Sequence, residues 1–203
     1  MRISNIRVII MCKAPVPGRV KTRLMSRYSA DQAAALHAAM ATTVINRAVR
    51  LFEDVVIAAD DVSHPFFAGF GLPVLAQGEG DLGERMDRQL EMAFSSSAEA
   101  ALLLGTDSPH MPDARLIAAV DKLKDVDVVL GPVEDGGYDL VAMSRLLSVF
   151  SDIEWSSGLV LEQTMESCHH QRLSVQQLDT SFDVDFPEDI ARAGQKGWFP
   201  NKP

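Results

Sequence analysis

Short apolar runs alternating with amphipathic, capped stretches constrain this chain more than any other feature. Candidate strands cover Ile6–Cys12, Asp54–Ala59, Pro73–Gln77, Ala100–Gly105, Val126–Gly131, Tyr138–Met143 and Arg172–Leu178. Helical stretches lie between them at Ala30–Phe52, Leu82–Phe94, Asp113–Leu123 and Gly158–His170, and a last helix starts at Pro187. The first two open on Ser29-x-x-Gln32 and Asp81-x-x-Glu84. That is capping-box spacing, in which the first side chain accepts from an orphan amide and the third reaches back. Strands apolar on both faces and separated by helices predict an α/β fold, with three layers around an open, mostly parallel sheet. In such a sheet ligands collect beyond the carboxyl ends of the strands.

At 203 residues and 47% hydrophobic content, the chain suffices for one sizeable core, and residues 1–203 read as a single domain. No apolar run is long enough to cross a membrane. The first ten residues are too short and too strand-like for a signal peptide, so the expected location is the cytoplasm. Cys12 and Cys168 are too few for a disulfide framework and read as free thiols. Cys168, His169 and His170 resemble a metal tract, but neighbours on a helix diverge by about 100° and do not face one ion. Met86 and Met92 read as core, and His110 as a surface turn residue.

Positive charge is placed locally. The net charge is −9, yet the first thirty residues carry seven bases and no acid. Four of these bases, Lys13, Arg19, Lys21 and Arg23, fall in "MCKAPVPGRVKTRL", residues 11–24, where the first strand ends. A nucleic-acid binder is usually basic over a whole face, so a local cluster in an acidic chain points to a small anionic ligand. Gly18 lets the loop backbone approach such a ligand, and amides flanked by Lys and Arg make a phosphate cradle. A Walker A loop is absent, and no G-x-G-x-x-G stands there to support a nicotinamide dehydrogenase.

Carboxylates follow at the same edge. In "LLLGTDSPHMP", residues 102–112, Asp107 emerges at the end of a buried strand, facing the cradle. A carboxylate opposite phosphates is what metal-assisted phosphate chemistry needs, although Asp before Pro also marks an ordinary turn. In "SFDVDFPEDIARA", Asp183 and Asp185 share one face if the segment is extended. Either one completes a metal site if the chain returns to Asp107; otherwise the stretch is a helix-start signal. "GPVEDGGYDLVAM", residues 131–143, reads as a hairpin turn at Gly136-Gly137 or as a polar acceptor loop carrying Glu134 and Asp135. No Ser-His-Asp or Cys-His pair stands out for covalent catalysis.

Six ordered motifs, "KAPVPGRVKTRL", "QGEGDLGERM", "GTDSPHMP", "GPVEDGGYDLVAM", "IEWSSGLVLEQT" and "DVDFPEDI", together resemble the GT-A-type rSAM/selenodomain-associated transferase family. That family is similar to the wider nucleotide-diphospho-sugar transferase superfamily, including molybdenum-cofactor and phospholactate guanylyltransferases. The resemblance implies a GT-A sheet and an enzyme using Mg²⁺ or Mn²⁺, a nucleotide donor and a small-molecule acceptor, with neither nucleic acid nor membrane as partner. It implies nucleotide binding by Lys13, Gly18, Lys21, Arg23, Gln77, Gly80 and Asp81, and metal binding by Asp107 with Asp183 or Asp185. Asp135, Gly136, Gly137, Tyr138, Trp155, Ser156 and Ser157 fall where the acceptor lies. Phe186 and Ser157 each stand where the family more usually has threonine. Lys21, Arg23 and Asp107 carry the expected catalysis, glycosyl transfer from a sugar nucleotide. Nucleotidyl transfer from a triphosphate, with Lys21 and Arg23 stabilising the leaving pyrophosphate, is the alternative. A non-catalytic nucleotide binder is the third reading. Fold alone does not choose among them.

Overall fold

The structure is a computed structural model and describes residues 2–96 and 98–200; the outermost positions of the expected 1–203 domain lie outside the described residues. Seven strands, β1 (Ile3–Cys12), β2 (Phe52–Ala59), β3 (Val74–Ala76), β4 (Ala101–Leu104), β5 (Val128–Pro132), β6 (Tyr138–Met143) and β7 (Val175–Gln177), form one sheet. Their order is β3-β2-β1-β4-β6-β5-β7. Only β6 runs antiparallel to its neighbours, β4 and β5; the remaining pairings are parallel. The helices are α1 (Ala30–Leu51), α2 (Pro65–Ala68), α3 (Leu82–Ser95), α4 (Asp113–Lys122), α5 (Val160–His170) and α6 (Pro187–Gln195). Both predicted capping boxes form, at Ser29 with Gln32 and at Asp81 with Glu84. Two short elements carry no periodic signal in the sequence, α2 and a 3-10 turn at Thr22–Ser26.

Alternation along the strands builds a core on each face of the sheet. Val8, Ile10 and Cys12 of β1 pack with Ala41, Val44, Ile45 and Ala48 of α1 and Leu116 of α4. Ile9, between them, points the other way and joins Met86, Leu90 and Ala93 of α3 and Cys168 of α5. Each such aliphatic side chain contributes about 1.5–3 kcal/mol when fully buried. Met92 departs from the core reading. It lies off the stripe formed by Met86, Leu90 and Ala93 and is 40% exposed. Cys12 and Cys168 are free and buried, as expected.

A third cluster fixes the binding edge. Leu24 of the 3-10 turn, Met40 of α1, Phe182, Val184 and Trp198 bury one another. Phe182 and Val184 point inward here, so the alternate residues Asp183 and Asp185 turn the opposite way. The amide of Val184 donates to the Asp107 carbonyl at 2.8 Å, which completes the return of the chain to that aspartate.

Candidate active site

The cationic loop leaves β1 at Cys12 and crosses the carboxyl ends of the parallel strands. The Ala14 amide in this loop donates to Asp60 Oδ1 at 2.6 Å, and Gly18 turns the chain with φ of 78°. His37 is buried and held neutral by burial, and its Nε2 donates to the Lys13 carbonyl at 2.9 Å. Lys21 adopts a left-handed conformation, φ 46° and ψ 44°, at the start of the 3-10 turn. This carries its side chain inward, where only 5% remains exposed.

There Lys21 Nζ lies among three oxygens: Asp107 Oδ1 at 2.7 Å, Val184 O at 2.8 Å and Asp185 Oδ1 at 2.9 Å. Arg23 is 57% exposed and bonds the other oxygen, Asp185 Oδ2, at 2.6 Å. Burial disfavours the Lys21 charge, but Asp107 and Asp185 outweigh it and raise the ammonium above its ordinary range. The same pairing works in reverse on Asp107. Burial pushes its carboxyl up, and the Lys21 ammonium more than offsets that, holding it below the usual carboxylate range. Among the described residues Asp183 has no such ion-pair partner. Burial first, then the neighbouring Asp107 charge, push it up to about 7, against a hydrogen bond donated by Ser108 Oγ at 2.7 Å.

A cavity of about 850 Å³ opens over these groups. It brings together Lys13, Lys21, Arg23, Gln77, Gly80, Asp81, Asp107, Tyr138, Trp155, Ser156, Asp183 and Asp185. Gly18, Asp135, Gly136, Gly137 and Ser157 do not line it. Two predicted ligand contacts already have structural partners. Gln77 is buried and donates from Nε2 to Ala58 O at 2.8 Å, so its amide ties the loop to β2, while Asp81 caps α3. Asp135 closes its own turn, accepting from Gly137 N at 2.9 Å. Gly136 has φ of 88°, and a Cβ there would overlap the backbone of Gly158. That close approach joins the turn after β5 to the segment bearing Trp155 and Ser156.

Sequence reading missed Asp139, Arg85 and His37, which also line the cavity. Asp139 lies inside the quoted motif, and an acid within an apolar strand is the signal that marks it. Its carboxyl is pushed up by burial to about 6 despite the buried Arg115 guanidinium 3.0 Å away. His110 is not a surface residue: it is half-buried, and its ring stacks on Phe182 with centroids 3.8 Å apart.

The donor chemistry fits a hard divalent cation. Asp107, Asp183 and Asp185 supply carboxylate oxygens, and the ammonium between two of them shows that the position favours positive charge. Among the described residues no group of three His, Cys, Asp or Glu side chains forms a ready cage.

No curated protein matches the sequence. A candidate nucleotide-diphospho-sugar transferase from Desulfovibrio desulfuricans G20 is 34% identical, with 91% of this chain and 84% of that chain covered and a TM-score of 0.84. Two more distant structures share the fold. One is 4-diphosphocytidyl-2C-methyl-D-erythritol synthase from Anaerococcus prevotii, 10% identical, covering 94% of this chain and 96% of that one at a TM-score of 0.61. The other is CMP:2-keto-3-deoxy-manno-octonic acid synthetase complexed with CTP, 14% identical, covering 95% and 98% at 0.63. The profile described as "Uncharacterized protein conserved in bacteria (DUF2064)" matches residues 40–157, more than half of the sequence. The chain belongs to the DUF2064 family, and its α/β sheet is that of the nucleotide-diphospho-sugar transferases and cytidylyltransferases.

Proposed function

We propose that the chain is a divalent-cation-dependent transferase that moves a glycosyl group from a sugar nucleotide to a small acceptor. One observation carries this: basic side chains from the first loop and three carboxylates from two other segments converge in one cavity at the sheet's carboxyl edge. The likeness to the Desulfovibrio protein supports the sugar nucleotide as donor. The six ordered motifs support a place in the rSAM/selenodomain-associated branch.

In this reading Lys13, Arg19, Arg23 and Arg85 bind the donor diphosphate, each lining the cavity. Asp107, Asp183 and Asp185 would hold Mg²⁺ or Mn²⁺, which when bound supplies charge neutralisation for the diphosphate. The loop at Gln77–Asp81 bounds the nucleoside, and Tyr138, Trp155 and Ser156 bound the acceptor. Tyr138 is raised by burial and stays protonated, with its hydroxyl 3.4 Å from Thr164 Oγ1. The catalytic contribution of such a site is positioning plus stabilisation of the leaving group's charge.

Nucleotidyl transfer from a triphosphate is the second reading, favoured by the number of cations lining the cavity, with Lys21 joining the phosphate binders. Thermal unfolding with sugar nucleotides and nucleoside triphosphates, with and without Mg²⁺ or Mn²⁺, tests both. A bound ligand raises the melting temperature by mass action, so a cation-dependent shift is expected with at least one sugar nucleotide. Free nucleoside diphosphate then appears under the glycosyl reading, and pyrophosphate from a triphosphate under the nucleotidyl one. No shift with any of these ligands rejects both.

A further inference from the structure

A second cavity, of about 590 Å³, lies between α4 and the segment running from β7 into α6. That volume is in the range of small-molecule sites. On the α4 side Ala114 and Ala118 present only methyl groups, flanked by Arg115 and Lys122. Facing them are Arg192 of α6 and Lys196 at its C-cap, four residues apart and so on one side of the helix.

The surroundings are polarised toward an anion. His110 and Arg192 both lie within 4 Å of the Phe182 ring centroid, at 3.8 and 3.9 Å, and so occupy its two faces. Burial pushes His110 down to about 4, and the nearby charges of Arg192, Arg47, Lys196 and Arg115 add to it in the same direction. Its Nδ1 is buried without a hydrogen-bond partner among the described residues. Arg192 is engaged by Glu134 and Arg115 by Asp139. Lys122 donates only to the neutral Gln176 amide, at 3.0 Å, and Lys196 forms no ion pair among the described residues. Of the two lining acids, Glu134 is thus neutralised, and Asp179 is exposed.

We propose that this cavity is a second ligand site, for a small phosphate monoester whose dianionic group lies between Lys122 and Lys196 and whose body rests on Ala114 and Ala118. Two ammonium groups without carboxylate partners match the dianion, and charge-assisted hydrogen bonds of this kind are the strong ones. Consecutive residues form part of the wall between the two cavities. Phe182 lines the second and Asp183 the first, and Ser108 Oγ bonds both, at 3.0 Å to Phe182 O and 2.7 Å to Asp183 Oδ1. The Arg115–Asp139 pair spans the same wall.

Glycerol 3-phosphate is the probe, titrated calorimetrically into the full chain carrying Lys13→Ala and Arg23→Ala, which suppress anion binding in the larger cavity. One binding event is expected to remain. Adding Lys122→Gln and Lys196→Gln should weaken it at least tenfold and abolish ligand-induced shifts of the Ala114 and Ala118 amide resonances. Lys196 is exposed and Lys122 is half-buried with a bond to Gln176, so an unchanged melting temperature is the check that the fold is intact. Equal affinity with and without them, or no binding event once the larger cavity is suppressed, overturns the proposal.

Discussion

Each side chain of the site answers to the charge beside it, and Lys21 shows this most directly. Its ammonium is bound to Asp107 and Asp185, so its removal is felt by both carboxylates. Lys21→Ala leaves the carboxylates of Asp107 and Asp185, 44% and 26% exposed, facing each other without the ammonium between them, and the chain should lose stability. Arg23→Ala removes an exposed group and should change stability by under about 0.5 kcal/mol. The expected outcome is a donor affinity lowered by a charge-assisted contact, roughly 1.5–3 kcal/mol, for Arg23→Ala with its melting temperature unchanged. Unaltered affinity removes Arg23 from the phosphate site. Asp183 gives a pH signature. Its ordinary value is 3.8, and in the folded chain it is about 7. Between those values the folded chain keeps a proton that the unfolded chain has released, so this group costs stability as pH rises from about 4 to about 7. Asp183→Asn removes that cost. In chelator-treated protein the variant should gain on wild type by up to about 1.4 kcal/mol per pH unit across that window. Parallel pH profiles for the two proteins mean that Asp183 ionises normally.

Among the elements, α3 separates structure from binding. Asp81 was expected to contact the nucleotide, and it both lines the cavity and caps α3, accepting from Glu84 N at 2.9 Å. Asp81→Ala should cost about 1 kcal/mol through the cap alone. Asp81→Asn keeps a capping oxygen and removes the charge. If Asp81 acts only as a cap, calorimetric titration finds wild-type donor affinity in Asp81→Asn; if it also binds donor, affinity falls while stability stays. The elements themselves were largely legible. The periodic runs located all seven strands and five of the six helices, because buried faces impose their spacing on sequence. The apolar runs overshoot β3 and β7, where pairing covers three residues, and fall short of β1. The 3-10 turn escaped because its placement rests on one buried side chain, Leu24, and on the left-handed turn at Lys21, neither of which leaves a period.

Over the whole molecule, what sequence leaves unread is the distance between segments far apart in the chain. Asp107 and the Asp183–Asp185 segment were each recognisable as candidate ligands, but their meeting depends on Val184 bonding the Asp107 carbonyl and burying its side chain beside Leu24 and Trp198. Asp139 is marked in the sequence as an acid within an apolar strand, but only the fold shows that Arg115 lies against it. Packing of the third cluster therefore has a functional consequence that packing of the main cores lacks. Val184→Ala shortens a fully buried side chain and should cost roughly 2 kcal/mol. The same substitution loosens the backbone that carries Asp183 and Asp185 and whose carbonyl receives Lys21 at 2.8 Å. Val56→Ala, in the core across the sheet, loses a similar volume without touching that segment. Both variants should melt at lower temperature by similar amounts. At a temperature where both are fully folded, donor affinity measured by calorimetry should fall for Val184→Ala and hold for Val56→Ala. Equal affinity in the two variants would mean that the third cluster stabilises the chain without positioning its carboxylates.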